Sequence, residues 1–428
     1  MADPSPGNTN GEALVVGAGF AGLAAAVSLQ DAGLHVTVLE ARDRVGGRVW
    51  SPELDNGEVV ELGGEWVMPG DDELMGMADR FGLPLSPAGI DYLRREGYGP
   101  LGASVADQEA FLAASEPLRE AMALDEIAVA RVGPFLDRVP GTDAQRRTVR
   151  MRLQGTSAWD LDRIALRVIE GDGAFSAGGE RGSYARLGGG NQRLAEAMAA
   201  SISDVRLGTV VEAVVHDDTG VGARVRAGGV IRATGAVIAV PAPIAARLGF
   251  EPKLPGDLSA ALGELPMGTA AKLAVATRDR PALRAIQSTE LPFWCWAANG
   301  VGRVARRAVA SFAGSPLAQE GLGTEDGRVG PWLDRLRPMN PDVAFVGEPL
   351  SYAWAADPFA RGCYSAWDNA SWDRHPVFSR AVGRLTFAGE HTAGPADHGT
   401  MNGALKSGRR AAVQLAALLA SGDPSTRR

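Results

Sequence analysis

The chain has 428 residues, of which 45% are hydrophobic and 22% are charged, so length and composition predict a soluble globular protein of two domains. Its formal net charge of −8 argues against nucleic acid or an anionic membrane as a partner, because both require a basic surface. Two cysteines are too few for a disulfide framework and favour a reducing compartment, so we expect a cytoplasmic location.

The first predicted unit is a strand, a glycine-rich turn and a helix. The apolar strand Ala13–Val16 runs into the sequence GAGFAG, and a helix rich in alanine and leucine follows. The first glycine permits a tight turn, the second lets the backbone approach a pyrophosphate, and the third lets helix and strand pack closely. The start of the helix offers N–H groups to phosphates. The residues predicted to hold them are Gly17, Gly19, Phe20, Ala21 and Gly22.

A second apolar strand, Leu34–Leu39, ends in an acid that completes a dinucleotide-binding pattern. Glu40 is placed to accept hydrogen bonds from the adenosine ribose, and Ala41 and Arg42 follow it. Gly47 and Arg48 then combine a second close backbone approach with a guanidinium. This extension favours FAD over NAD.

The rest of the chain alternates between helical and strand-like segments. Spacing predicts helices over Asp107–Met122, Asp160–Ile169, Asn191–Ala200 and Thr400–Leu419. It predicts strands over Val205–Val215, Gly222–Val225, Gly235–Val240 and Leu385–Gly389. The first ten residues lack the basic and apolar segments of a signal peptide, and no membrane-spanning segment is expected.

Four further segments, in order along the chain, extend the similarity to one family. They are ELGGEW at 61–66, LGGGNQ at 187–192, LTFAGEHT at 385–392 and GTMNGA at 399–404. With the N-terminal unit, they resemble the flavin-containing amine oxidases, which include monoamine, polyamine and L-amino-acid oxidases.

The resemblance implies an α/β fold in which a discontinuous Rossmann-like FAD-binding domain is interleaved with an α+β substrate-binding domain. The implied FAD-binding domain comprises 11–78, 187–261 and 357–421, and the substrate-binding domain comprises 79–186 and 262–356. Residues 1–10 are expected to be disordered, and 422–428 form a tail.

The resemblance also implies further contacts to FAD. The residues at the matching positions are Gly63, Gly64, Glu65, Trp66, Val211, Cys363, Gly389, Glu390, Gly399, Thr400 and Met401. Cys363 matches the cysteine through which monoamine oxidases attach the flavin, and the alternative is a small buried thiol without a bond. Covalent attachment is therefore allowed but not required.

Two residues are predicted to be catalytic. Lys272 interrupts an apolar strand, where burial of an ammonium needs a partner, and the resemblance places it beside flavin N5, where it would promote reaction with oxygen. The alternative is a lysine that reaches solvent at a strand end. Tyr364 matches the first of two aromatic residues that guide an amine to the flavin, whereas Thr400 occupies the second position.

The aromatic cage is thus incomplete, and the sequence leaves open what replaces its second ring. Trp296, Trp367 and Phe293 are the candidates, although core packing is the ordinary role of such residues. His391 and His398 lie near the C-terminal segment that resembles a flavin-binding one. The sequence allows two interpretations of each, a residue that lines the pocket and a residue with a structural role. No pattern of metal ligands is present.

The predicted function is FAD-dependent removal of a hydride from the carbon next to an amine or amide-like nitrogen to give an imine, with molecular oxygen converted to hydrogen peroxide. An incomplete cage favours a larger or unusual amine, such as an intermediate of secondary metabolism, and the preference for arginine over lysine suggests a bacterial source. A homodimer is allowed. The alternatives are a carbon-skeleton dehydrogenase of the protoporphyrinogen oxidase or carotenoid desaturase type, and a non-enzymatic protein like the GDP-dissociation inhibitors.

Overall fold

A computed structural model describes residues 12–169, 184–299, 304–324 and 327–421. The predicted disordered segment 1–10 and the tail 422–428 lie outside the described residues. Within the described ranges, no helix is long and apolar enough to span a membrane.

The described residues contain seventeen strands, which are numbered in chain order. They are β1 Glu12–Val16, β2 His35–Leu39, β3 Leu85–Pro87, β4 Glu96–Tyr98, β5 Ala185–Leu187, β6 Asp204–Arg206, β7 Val211–His216, β8 Val221–Val225, β9 Val230–Ala233, β10 Gly235–Ile238, β11 Gly249–Glu251, β12 Ala270–Thr277, β13 Ala285–Ser288, β14 Phe293–Asn299, β15 Ala305–Gly314, β16 Phe345–Ala353 and β17 Leu385–Phe387.

The α-helices are numbered in the same way. They are α1 Phe20–Asp31, α2 Asp72–Arg80, α3 Val105–Glu120, α4 Leu124–Val129, α5 Val132–Arg138, α6 Asp143–Ser157, α7 Leu166–Ile169, α8 Gln192–Ala200, α9 Ala242–Ala245, α10 Gly256–Glu264, α11 Pro316–Leu322, α12 Gly330–Met339, α13 Asn369–Asp373 and α14 Met401–Ser421. Short 3-10 helices cover His375–Ser379 and Glu390–Thr392.

The chain forms two compact, interleaved units. The first unit comprises Met1–Gly47, Leu194–Glu264 and Arg374–Arg428, and the second comprises Arg48–Arg193 and Leu265–Asp373. The predicted domains alternate along the chain in the same order as these units. The prediction differs in that it assigned 48–78, 187–193 and 357–373 to the FAD-binding domain, whereas these ranges lie in the second unit. The assignment of FAD and substrate binding to particular domains stays a prediction.

The first unit contains a parallel sheet of five strands in the order β17-β10-β1-β2-β6. Its central strand, β1, is buried from Ala13 onwards and pairs with β2 and β10 in parallel register. A strand buried on both faces has a continuously apolar sequence, and this is why β1 could be predicted from the sequence. A second sheet has the order β11-β7-β8-β9.

Helices α1 and α14 of the first unit approach each other closely through small residues. A Cβ atom at Gly408 would lie 2.1 Å from the carbonyl oxygen of Ala21, so a larger side chain cannot occupy that position. Most of α1 is buried, with Ala24, Ala25 and Ala26 fully covered. These contacts hold the start of α1 at the carboxyl end of β1.

The second unit contains a six-stranded sheet in the order β16-β12-β15-β14-β13-β4. One face packs against an apolar cluster that includes Leu273, Phe293 and Trp332. The opposite face carries Ala274, Trp294 and Trp296 in a different cluster. Because side chains alternate across a strand, Lys272 and Ala274 share this second face.

The prediction of a helix over Asp160–Ile169 is wrong for residues 160–165. Only Leu166–Ile169 is helical, because the Asp160 carboxylate accepts a hydrogen bond from the Asp162 amide and closes a turn. Strands β3, β4 and β5 were not predicted, since three residues are too few to show an alternating pattern. The predicted parallel sheet and mixed α/β fold are confirmed.

Candidate active site

The glycine turn after β1 has the geometry of a phosphate cradle. Gly17 has φ +105°, and its Cβ would lie 2.8 Å from the Ala239 carbonyl oxygen, so only glycine fits. A Cβ at Gly22 would lie 1.9 Å from the Gly17 carbonyl oxygen. Both glycines are therefore required by the chain's own packing.

Gly19 differs, because nothing in the protein forbids a side chain there. Its φ is −76°, an ordinary value, and an added Cβ would approach only the Gly47 Cα, at 4.0 Å. Gly19 precedes α1, and the amides of Ala21 and Gly22 have no acceptor among the described residues. Open space beside unsatisfied helix amides fits the pyrophosphate of FAD.

Glu40 lies at the end of β2 and is buried. Its carboxylate accepts hydrogen bonds from the Ala18 amide at 2.7 Å and the Arg42 amide at 2.9 Å. The Gly46 amide donates to the Ala18 carbonyl, which brings the second glycine pair beside the first. Glu40 thus organises the turn, and its remaining lone pairs are available to a ribose hydroxyl.

The segment before α14 forms a second organised turn in the first unit. The buried Glu390 carboxylate accepts a hydrogen bond from the Gly399 amide at 3.0 Å. Gly389 has φ +140°, and a Cβ there would lie 2.6 Å from the His391 ring. His391 is buried, and the Nδ1 of His398 is 2.6 Å from the Pro395 carbonyl oxygen.

Thr400, which the resemblance predicts at the position of the second cage aromatic, forms hydrogen bonds at the start of α14. Its hydroxyl accepts a hydrogen bond from the Gly403 amide at 2.9 Å, so Thr400 caps α14, which starts at Met401. Val211, the remaining predicted cofactor contact in this unit, begins β7 and pairs with Val225.

In the second unit, Gly63 and Gly64 pack against the chain that follows the first glycine segments. The Gly64 amide donates to the Arg48 carbonyl at 3.0 Å, and a Cβ at Gly63 would lie 2.2 Å from the same oxygen. The Arg48 guanidinium donates to the Cys363 carbonyl at 2.7 Å. The second unit therefore brings together four residues that are predicted to contact FAD, namely Arg48, Gly63, Gly64 and Cys363.

Lys272 is buried, with 5% of its surface exposed, and its ammonium forms an ion pair and hydrogen bond with Glu65. Lys272 therefore does not reach solvent from a strand end, which was the alternative interpretation of this lysine. Strand β12 is buried throughout, and the neighbours of Lys272 on its face are the small residues Ala270 and Ala274. An isolated ammonium would be costly here, so Glu65 supplies the compensating charge.

Glu65 also binds two groups that the sequence did not connect with it. Arg186 forms an ion pair with its carboxylate at 2.5 Å, and the Trp296 indole N–H donates to it at 3.0 Å. The Lys272 ammonium lies 5.3 Å from the centre of the Trp296 ring. One carboxylate therefore orients a lysine, an arginine and a tryptophan. We call these four residues the Lys272 centre.

Aromatic side chains continue from Trp296 across the same face of the sheet. Trp294 and Trp296 stack with ring centres 4.0 Å apart, and Trp66 lies 5.9 Å from Trp294. The guanidinium of Arg95 lies 3.7 Å from the centre of the Trp294 ring and is fully buried. Burial lowers the pKa of Arg95 from its usual value. Sequence reasoning missed Arg95, which lies in an irregular segment before β4.

Of the three aromatic candidates for the incomplete cage, only Trp296 lies at the Lys272 centre. Phe293 belongs to the apolar cluster on the opposite face of the sheet. Trp367 is fully buried, and its indole donates to the Ser365 hydroxyl at 3.0 Å. Tyr364 donates its hydroxyl to the Thr156 carbonyl, which holds the phenol ring in place.

Cys363 lies in a small apolar cluster with Ala158, Ala270 and Trp354. A Cβ at Gly268 would lie 2.9 Å from its sulfur, so the thiol is closely packed. A buried free thiol in such a cluster ordinarily contributes packing.

We therefore expect acid precipitation of the protein to release FAD into the supernatant and leave a colourless pellet. A yellow pellet that loses its colour in Cys363→Ala would instead establish a covalent bond. Cys295→Ala is the matched control, because Cys295 is also a buried free thiol but lies in the cluster on the opposite sheet face.

Comparison with known proteins agrees with this geometry. The family described as flavin containing amine oxidoreductase matches residues 20–416. L-amino acid dehydrogenase of Synechocystis sp. is 24% identical over 464 residues, covering 95% of this chain and 95% of that protein. Polyamine oxidase 4 of Oryza sativa subsp. japonica is 28% identical over 433 residues, covering 93% and 87%. The structure of cyclohexylamine oxidase from Brevibacterium oxydans IH-35A shares the fold, with a TM-score of 0.81, 22% identity and coverage of 96% and 99%.

The chain belongs to the flavin containing amine oxidoreductase family. It is an FAD-dependent oxidoreductase that acts on amines, which confirms the predicted family, cofactor and class of enzyme. The matches give no support to a carbon-skeleton dehydrogenase or to a non-enzymatic binding protein. Among the described residues, no cluster of potential metal ligands is present.

Proposed function

We propose that this enzyme oxidises an amine to an imine, passes the electrons to molecular oxygen and uses Lys272 in the second step. Bound FAD supplies the redox chemistry, since it accepts a hydrogen and two electrons from the carbon next to the amine nitrogen. The observation that carries the proposal is a buried ammonium, ion-paired with Glu65, on an apolar sheet face that also carries Ala274, Trp294 and Trp296.

The ammonium of Lys272 stabilises the negative charge that develops as oxygen is reduced. A fixed cation in a site with little water acts more strongly than one in solvent, because less dielectric screening opposes it. Glu65 determines where that cation lies, and the Trp296 indole helps to hold Glu65 in place. Lys272 is thus the catalytic group, and Glu65 is a positioning residue.

The cofactor-binding predictions remain proposals at the level of single residues. The cradle before α1 would hold the pyrophosphate through amides near Gly19, and Glu40 would accept a ribose hydroxyl. Glu390 keeps the Gly399 turn in the shape that precedes α14. The open space at Gly19, and the acceptor oxygens of Glu40 beside it, support this assignment.

We propose an amine larger than a simple arylalkylamine as the substrate. Tyr364 is held by its hydrogen bond to Thr156 and offers one aromatic surface, whereas Thr400 caps a helix and offers none. Aromatic surface near the Lys272 centre comes from Trp296. A cytoplasmic location, a bacterial source, a role in secondary metabolism and a homodimer stay predictions from the sequence.

The test is anaerobic mixing of the purified yellow protein with monoamines, polyamines and amino acids, followed by air. We expect one class to bleach the flavin absorbance, and air to restore it with one hydrogen peroxide per imine. Bleaching that air does not reverse, but an artificial electron acceptor does, would contradict oxygen as the acceptor. Failure of all amines to bleach the flavin would contradict the proposed substrate class.

A further inference from the structure

A second buried carboxyl group, Glu61, lies near the Lys272 centre without belonging to it. One oxygen of Glu61 accepts a hydrogen bond from the Ser51 hydroxyl at 2.7 Å, and the other accepts one from the Asn191 amide at 2.8 Å. Among the described residues, no lysine or arginine forms an ion pair with it. Its charge is therefore not compensated in the way that the charge of Glu65 is.

Glu61 and Glu65 line the same cavity. Its other charged lining residues are Arg186 and Arg306, and its rim includes the exposed residue Pro87. Polar walls of this kind favour water over an empty void. A proton can thus travel between solvent and Glu61 within reach of the carboxylate that holds Lys272.

The surroundings of Glu61 make it a group that titrates near neutral pH. Burial, and to a lesser degree the negative charge of Glu65, raise the pKa of Glu61 from 4.5 to about 7, against the lowering effect of the Ser51 hydrogen bond, the Asn191 amide and the Lys272 charge. A pKa near the working pH suits a group that both gives and takes a proton.

The proposed reaction needs such a group. In R–CH2–NH2 + O2 → R–CH=NH + H2O2, the amine loses two electrons and two protons, and oxygen gains both. One hydrogen is transferred with the electrons through the cofactor, while the other leaves the nitrogen as a proton. Because the proton is released during amine oxidation and consumed during oxygen reduction, it must be stored or exchanged between the two steps.

We propose that Glu61 is the proton-exchanging residue of the Lys272 centre, linked to solvent through the cavity that it shares with Glu65, Arg186 and Arg306. The proposal rests on the proposed function, since it assumes that Lys272 acts during oxygen reduction. Protonation of Glu61 removes one negative charge beside Glu65 and strengthens the positive field of Lys272. Oxygen reduction is therefore faster when Glu61 is protonated, and protonated Glu61 is the donor.

The first test is the pH dependence of thermal unfolding, which requires no turnover. In the folded protein Glu61 keeps its proton up to about pH 7, whereas in the unfolded chain it loses the proton above pH 4.5. Because the folded protein binds more protons across this interval, the contribution of Glu61 to the free energy of unfolding falls progressively as the pH rises. The melting temperature of Glu61→Gln relative to the native protein should rise over the same interval and then level off. Identical pH profiles would overturn the proposal. Glu196→Gln, on an exposed face of α8, is the control.

The second test measures reoxidation by air after chemical reduction with dithionite, so no amine is needed. The native rate should fall as the pH rises through about 7. This inflection should disappear in Glu61→Gln, with a rate at low pH reduced roughly 100-fold or more, as is usual for loss of a proton-transfer group. In Ser51→Ala the inflection should move to higher pH, because a hydrogen bond to the charged form is lost. An inflection unchanged in both variants would overturn the proposal, whatever the outcome of the amine screen.

Discussion

Replacing Gly19 by valine is expected to give a folded protein that is purified without its yellow colour. The added Cβ meets no protein atom closer than the Gly47 Cα at 4.0 Å, and the backbone has an ordinary φ of −76°, so the fold tolerates the change. The side chain fills the space assigned to the pyrophosphate. Overpacking costs about 1–3 kcal/mol. The affinity for FAD should therefore fall roughly 10- to 100-fold.

The measurement is the ratio of flavin to protein absorbance, together with the melting temperature before and after addition of FAD. Gly263→Val is the matched control, because Gly263 lies exposed in α10 of the same unit and has no atom within 4 Å of its added Cβ. The control should stay yellow. Stoichiometric FAD in Gly19→Val would show that the open position beside α1 is not the phosphate cradle.

Replacing Lys272 by methionine is expected to leave FAD bound and to slow reoxidation by oxygen. Methionine has a similar length without the charge, and Arg186 and Trp296 still satisfy the Glu65 carboxylate. Loss of one preorganised electrostatic group typically costs about 10²- to 10³-fold in rate, so we expect a slowing of roughly 100-fold. Anaerobic reduction by the amine should change much less, because the lysine is assigned to the second step.

Stopped-flow measurement of the two half-reactions separates these effects. Lys253→Met is the control, since Lys253 is exposed and belongs to the first unit, whereas the Lys272 centre belongs to the second. A normal rate of air oxidation in Lys272→Met would mean that the lysine has only a structural role or that the acceptor is not oxygen. Loss of amine reduction alone would reassign Lys272 to the first step.

The pairing of Glu65 with Lys272 could not be predicted from the sequence. The resemblance predicted Glu65 as a cofactor contact, and burial of Lys272 was seen to require a partner, but nothing joined the two residues. The structure pairs them across 207 positions of sequence. Arg186 could have been suspected, because it precedes the LGGGNQ turn, whereas Trp296 was a candidate for the aromatic cage and nothing in the sequence connected it with Glu65.

The sequence by itself determined the parts of the protein that depend on neighbours along the chain. Gly17 and Gly22 are imposed by a turn of six residues, and β1 is recognised because a parallel strand buried on both faces is continuously apolar. The resemblance predicted that Thr400 occupies the position of the second cage aromatic, but its role as a helix cap was not predicted.

Tertiary structure alone decided the charge arrangement around Lys272. Glu61 and Glu65 share one segment, whereas Arg186 and Lys272 come from two others that are distant along the chain. Their ion pairs, and the pKa of about 7 at Glu61, arise from burial and distance in space. Local propensity depends on residues within one turn or strand, but electrostatic energy depends on separation and solvent exposure, which only the folded chain defines.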